Sequence, residues 1–160
     1  MKLENMYQEI ILDHYKHPHG KGLSDEFDAE VHHVNPTCGD EITLRVNRGA
    51  DGKIVVSYDN MGCSISQASA SIMFDQINNM NFESGEAAIE HLVAMLQRTV
   101  EADEDILGDG IALAGVAQYP ARVKCALLPW MAWKDAAIQA GTENTAESTI
   151  STESNKEQNQ

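Results

Sequence analysis

The stretch ITLRVNRGADGKIVVSY, residues 42–58, decides the fold. Ile42, Leu44 and Val46 alternate with Thr43, Arg45 and Asn47, the period-2 signature of a half-buried strand. Lys53 to Tyr58 is a second, β-branched run. Between the two, Arg48-Gly49-Ala50-Asp51-Gly52 is a turn segment ending in Asp-Gly, so the runs pair as a hairpin. Upstream, Glu30 to Val34 predicts a further strand. The product is a small antiparallel β-sheet of about three strands.

Helical patterns flank the sheet. Met6, Ile10, Ile11, His14 and Tyr15 recur at spacings of three and four, and Pro18 and Gly20 stop that helix. Residues 17–28 read as a loop. Residues 64–77, SISQASASIMFDQI, predict a tightly packed helix whose small side chains admit the sheet closely. Ser84 predicts the N-cap of a helix over roughly 86–101, with Ile89, Leu92, Val93, Leu96 and Val100 on one face. Residues 101–110 read as an acidic loop and 111–117 as a short apolar segment. Pro120 marks a turn, and a last helix covers 127–139, anchored in the core by Trp130 and Trp133. The fold class is α+β, the sheet packed against several α-helices. Residues 1–140 form one domain. Residues 141–160 are polar, with Ile150 the only large apolar side chain, and predict a disordered tail.

Composition narrows the function. The chain has 160 residues, 42% hydrophobic, enough for a core without disulfide staples. Eleven Lys and Arg face 25 Asp and Glu, a formal charge of −14. Four glutamates and one lysine of the tail account for little of it, so the acidity belongs to the domain. Such a surface repels nucleic acid and anionic membrane and suits a basic protein partner or a cation. No signal-peptide run opens the chain and no apolar stretch reaches spanning length, which predicts a cytoplasmic protein with reduced thiols.

Three cysteines are then conspicuous, being too few and too odd for a disulfide framework. Cys38 lies in a turn between predicted strands (NPTCGD, residues 35–40), Cys63 at a strand–helix junction, and Cys125 just before the predicted last helix. A helix N-terminus favours a thiolate at Cys63 and Cys125, with Arg122 and Lys124 adding positive charge near the latter. Asp40 is the natural fourth member, since Gly39 lets two side chains two residues apart converge. Three thiolates and a carboxylate make a reasonable tetrahedral Zn²⁺ set. The residues alone leave three readings open: a shared metal site, independent buried cysteines, or a redox or nucleophilic cysteine. The histidines read as structural: His14, His17 and His19 at the first helix end, His32 and His33 on a strand, and His91 on a solvated helix face.

Four stretches resemble one family in order and spacing: residues 7–22 (YQEIILDHYKHPHGKG), 35–40 (NPTCGD), 62–71 (GCSISQASAS) and 119–126 (YPARVKCA). The chain resembles the SufU proteins of the IscU/NifU-N superfamily of iron–sulfur assembly factors, over roughly residues 5–138. IscU-type scaffolds place a histidine immediately before the last cysteine. Here that residue is Lys124, preceded by Pro120-Ala121-Arg122 and by residues 105–118, which look like the SufU insertion. The resemblance implies an IscU/SufU-like fold and Zn²⁺ held by Cys38, Asp40, Cys63 and Cys125. It implies a zinc-dependent sulfurtransferase that takes persulfide sulfur from a SufS-type pyridoxal-phosphate cysteine desulfurase onto Cys38. A histidine of the desulfurase frees Cys38 on docking, and the sulfur passes to downstream SUF assembly proteins. Arg122 matches a position that contacts the desulfurase. The rival implication is a scaffold that assembles an iron–sulfur cluster on the same cysteines.

Overall fold

The computed structural model describes residues 3–141, and the proposed tail beyond Gly141 lies outside them. The elements run α1 (Leu3–Lys16), β1 (Ala29–Asn35), β2 (Asp40–Arg48), β3 (Ile54–Met61), α2 (Ser64–Ile77), α3 (Phe82–Leu96), α4 (Glu104–Leu107), a 3₁₀ segment (Gly108–Gln118) and α5 (Pro120–Gln139). The strands form one antiparallel sheet in the order β1-β2-β3. Registers Asn35 opposite Asp40 and Arg48 opposite Ile54 close its two hairpins. The α+β expectation holds, down to the strand count.

Alternation sets which side chains go inside. Ile42, Leu44 and Val46 of β2 share a buried face with Val31 of β1 and with Ile54, Val56 and Tyr58 of β3. Helix α5 covers that face, bringing Trp130 and Trp133 fully into the core. Trp133 stacks on Phe82 of α3 at 5.9 Å. Asp40 lies in phase with Ile42 and Leu44, so the same two-residue period drives a carboxylate inward at the end of the sheet. It is wholly buried.

Three predicted boundaries move. Helix α3 starts at Phe82, because Asn81 and not Ser84 is its N-cap: the Asn81 side chain accepts from the Ser84 N–H at 2.8 Å. It ends at Leu96, which leaves Val100 outside and exposed. The acidic loop and apolar segment are α4 and the 3₁₀ segment, together forming a wall of the molecule. Helix α5 begins at Pro120 rather than at 127. Proline at the first helical position lacks only an N–H that would be unpaired anyway, so it starts this helix instead of breaking the chain.

The small residues of α2 also serve helices more than the sheet. Ser69 Oγ donates to the Ala126 carbonyl at 2.6 Å and accepts from Trp130 Nε1 at 2.8 Å, stitching α2 to α5. His91 is half-buried, not solvated, and its Nε2 has no hydrogen-bond partner. His14 is buried and bridges Ser71 and Asp109. Among the described residues, no helix is long and apolar enough to cross a membrane.

Candidate metal centre

The β1–β2 hairpin, the start of α2 and the second turn of α5 converge at one end of the sheet. Residues 36–39 form the hairpin turn, closed by the Gly39 N–H on the Asn35 carbonyl at 2.9 Å. Gly39 takes φ +73°, a left-handed value that costs a residue with a Cβ about 1–2 kcal/mol. That turn holds Cys38 half-exposed and returns the chain so that Asp40 points inward beside it. One ligand atom each from Cys38, Asp40 and Cys125 lies within 4.8 Å of the others.

Cys63 joins them through Asp40. It is the N-cap residue of α2, with its N–H donating to Asp40 Oδ1 at 2.8 Å and its sulfur 3.8 Å from Oδ2. Gly62 makes the approach possible. A Cβ there would collide with the Asp40 carboxylate and stand 2.8 Å from its Cα, and φ is +137°. Gly62 and Asn35 join the centre beyond the four residues expected from the sequence. Asn35, buried at the end of β1, points Nδ2 at the Cys125 sulfur from 3.6 Å. A glycine before the N-cap cysteine and a polar residue one step before a proline are the only signals the chain offered for them.

Cys125 corrects one expectation. It is the sixth residue of α5, not a residue ahead of the helix, because α5 begins at Pro120. It is fully buried, with its sulfur 3.9 Å from the Ala121 carbonyl one turn back. Burial, then contacts with Asp40, Cys38 and Cys63, push its thiol above the ordinary range. As the sixth residue of α5, Cys125 lies past the first turn to which the N-terminal effect is confined. Asp40 shows the opposite balance. Burial pushes its carboxyl up, but hydrogen bonds from Cys125, the Cys63 N–H, the Cys63 thiol and Ser66 outweigh that and hold it below the usual range.

Arg122, exposed on the first turn of α5, completes the surroundings. The negative charge of Cys63, then contact with Cys125 and the charges of Cys125 and Cys38, raise its pKa. Lys124 is exposed. Beside Cys63 and Arg122 opens a groove of about 1060 Å³, walled by Ile11 and Leu12 of α1 and Gly115 and Val116 of the 3₁₀ segment.

The donor chemistry fits a borderline-soft divalent cation. Asp40 is a buried carboxylate held in its ionised form by hydrogen bonds, with three sulfurs around it. Three sulfurs and one carboxylate oxygen around a cation would satisfy all four groups at once, and Zn²⁺ accepts that set.

The model of the NifU-like N-terminal domain family matches residues 6–126. The zinc-dependent sulfurtransferase SufU of Bacillus subtilis is 41% identical over 133 residues, covering 81% of this chain and 88% of its own. The iron–sulfur cluster assembly scaffold protein IscU of Streptococcus pyogenes is 38% identical over 135 residues, 84% of each chain. A crystal structure of a candidate SUF-system scaffold protein from Fervidobacterium islandicum superposes with TM-score 0.75 at 34% identity, over 85% of this chain and 99% of that one.

Proposed function

The chain belongs to the NifU-like N-terminal domain family, and from that premise we propose that it is a zinc-dependent sulfur carrier of cytoplasmic iron–sulfur cluster assembly. Cys38, Asp40, Cys63 and Cys125 hold Zn²⁺, and a SufS-type pyridoxal-phosphate cysteine desulfurase supplies the sulfur. The observation that carries the proposal is the unequal setting of the three thiols around Asp40. Cys125 is buried within a helix; Cys63 and Cys38 are both half-exposed, but Cys63 is fixed as a helix cap while Cys38 sits on a glycine-containing turn.

The chemistry follows from that inequality. Bound Zn²⁺ supplies a redox-inert positive charge that keeps the sulfurs deprotonated at neutral pH. The Cys38 thiolate attacks the outer sulfur of a persulfide on the partner's cysteine. The bond between that sulfur and the partner's cysteine sulfur breaks, the partner departs as a thiolate, and Cys38 carries the outer sulfur as its own persulfide. No external oxidant or reductant is consumed. Arg122, exposed on the first turn of α5 beside these sulfurs, is placed to contact the partner. The net charge of −14 disfavours nucleic acid and anionic membrane as partners. Downstream SUF assembly proteins take the sulfur on.

A second reading, a scaffold that builds a cluster on the same cysteines, is favoured by the names of the streptococcal and Fervidobacterium relatives. Lys124 before Cys125, where the scaffold type resembled above has histidine, speaks for the carrier. The test is sulfide release by a SufS-type desulfurase, with and without the purified protein, together with its metal content. The carrier predicts about one zinc per chain and a stimulation that Cys38→Ala abolishes. Stimulation undiminished by that change contradicts it, and iron with visible absorbance and no stimulation favours the scaffold.

A further inference from the structure

A second convergence of ligand side chains lies away from the thiols, on the opposite end of α2. One ligand atom each from His14, His19 and Asp75 lies within 4.8 Å of the others. The Asp109 carboxylate stands 2.8 Å from His14 Nε2, and the Asp75 carboxylate stands 2.7 Å from His19 Nδ1. Four separate parts of the chain contribute: α1, the loop after it, α2 and the 3₁₀ segment.

The histidines are held in place before any ligand arrives. His19 is fastened through its backbone on both sides. Its N–H donates to Ser71 Oγ at 2.9 Å and its carbonyl accepts from the Tyr58 hydroxyl at 2.7 Å. Ser71 Oγ, having accepted from His19, donates its own hydrogen to His14 Nδ1 at 2.6 Å. That assignment leaves Nε2–H of His14 to donate to Asp109. A fully buried serine thus fixes the tautomer and ring plane of a buried histidine, as hydrogen bonds from behind do for metal-binding imidazoles. The outer members are open to solvent, with His19 46% and Asp75 32% exposed, so an ion has a path in.

We propose that His14, His19 and Asp75, with Asp109 as the fourth ligand, form a second divalent-cation site of imidazole and carboxylate donors. Two imidazoles and two carboxylates suit a first-row ion such as Zn²⁺ and differ in kind from the thiolate set. Bonds of about 2.0–2.1 Å put neighbouring ligand atoms of a tetrahedral site about 3.3 Å apart, so an ion opens the two His–Asp pairs by about half an ångström and draws the other ligand atoms, now up to 4.8 Å apart within the His14–His19–Asp75 group, together, with the exposed Asp109 side chain swinging in beside His14. Each imidazole releases its bridging proton to solvent as the ion enters. The consequence reaches the groove beside the thiols. Its walls are α1 and the 3₁₀ segment, and the site takes His14 from one and Asp109 from the other. A bound ion therefore ties the two walls together one turn or less beyond the groove-lining residues.

The test is a Co²⁺ titration of the full-length protein read by absorbance, since thiolate ligation gives an intense near-ultraviolet charge-transfer band and imidazole–carboxylate ligation gives only weak visible bands. The wild type takes up one equivalent that shows no charge-transfer band, beyond any that shows it. His19→Ala and Asp75→Asn, both at exposed positions, lose that equivalent and keep every charge-transfer band of the wild type, with circular dichroism showing the fold retained. Cobalt uptake confined to the charge-transfer band in the wild type overturns the site. So does a band-free equivalent that persists in both variants.

Discussion

The centre at the end of the sheet has two unlike sides. On one, a four-residue turn with a left-handed glycine presents Cys38 half-exposed. On the other, α5 buries Cys125 completely, and Cys63 is fixed as the N-cap of α2. The same element in the same donor set is thus given two different freedoms by local structure. A turn held by a pair of carbonyl hydrogen bonds can be displaced for little, whereas moving Cys125 means moving a helix with two buried tryptophans. Under the proposed function the difference is a division of labour, in which the helices would keep the metal and the turn would do the transfer.

The widest break in the comparison comes from the helix side. Cys125→Ser puts a hydroxyl where a buried sulfur meets Asp40 and Asn35. It loses zinc and about 3 kcal/mol or more of stability, because ligation is coupled to folding. Metal analysis and thermal melting check this, and retained zinc with unchanged melting contradicts it. Gly62→Ala attacks the seam between the sides. The added methyl meets Asp40 at a backbone angle of +137°, so a loss of about 1–3 kcal/mol and weaker metal retention are expected.

Gly39→Ala sharpens the contrast from the turn side. Open space surrounds that position, so only the left-handed φ is penalised, by about 1–2 kcal/mol, and zinc stays. A Gly39→Ala protein as destabilised and metal-poor as Cys125→Ser would erase the proposed asymmetry. Arg122→Ala, fully exposed, leaves melting unchanged. It lowers the desulfurase stimulation about three- to tenfold at low salt, less as salt rises. A salt-independent effect would argue that the side chain acts by contact and not by charge.

The smallest effect concerns how the two sides are held in register. The His33 ring nitrogen lies 2.8 Å from Asp135, joining β1 to α5 and with them Asn35 to Cys125. The hydrogen bond from His33 holds the Asp135 carboxyl below its usual range, against burial and aided by Gln139. A carboxyl depressed in the folded state adds stability that is present above the unfolded value, about 3.9, and is lost as pH falls through the folded one. Asp135→Asn therefore lowers the melting temperature slightly at neutral pH, leaves it almost unchanged in acid, and so flattens part of the acid limb of the profile. An unaltered acid limb would remove the pair from the account.

The sheet was legible because its pattern is local: alternation and an Asp-Gly turn suffice for β2 and β3. The four centre residues were legible from the sequence only as one candidate set among open readings, and the resemblance singled that set out, since the distances that join Cys38, Cys63 and Cys125 belong to tertiary structure. Other features were hidden for stated physical reasons. Pro120 reads as a breaker unless its place at the first helical position is known. Asn81 competes with Ser84 as a cap, and side-chain chemistry alone ranks them alike. Residues 105–118 carry no strong period, so the 3₁₀ wall and the partner it gives His14 could not be foreseen. The inward phase of Asp40, by contrast, was written in the alternation of β2 and simply went unextended by two residues.

The most direct measurement of the central claim is peptide mass mapping after a brief reaction with a SufS-type desulfurase and cysteine, under conditions that block thiol exchange. The account predicts the mass of one added sulfur atom on the peptide carrying Cys38, and none on those carrying Cys63 or Cys125. Sulfur distributed over all three, or resident on Cys63 or Cys125 alone, contradicts it.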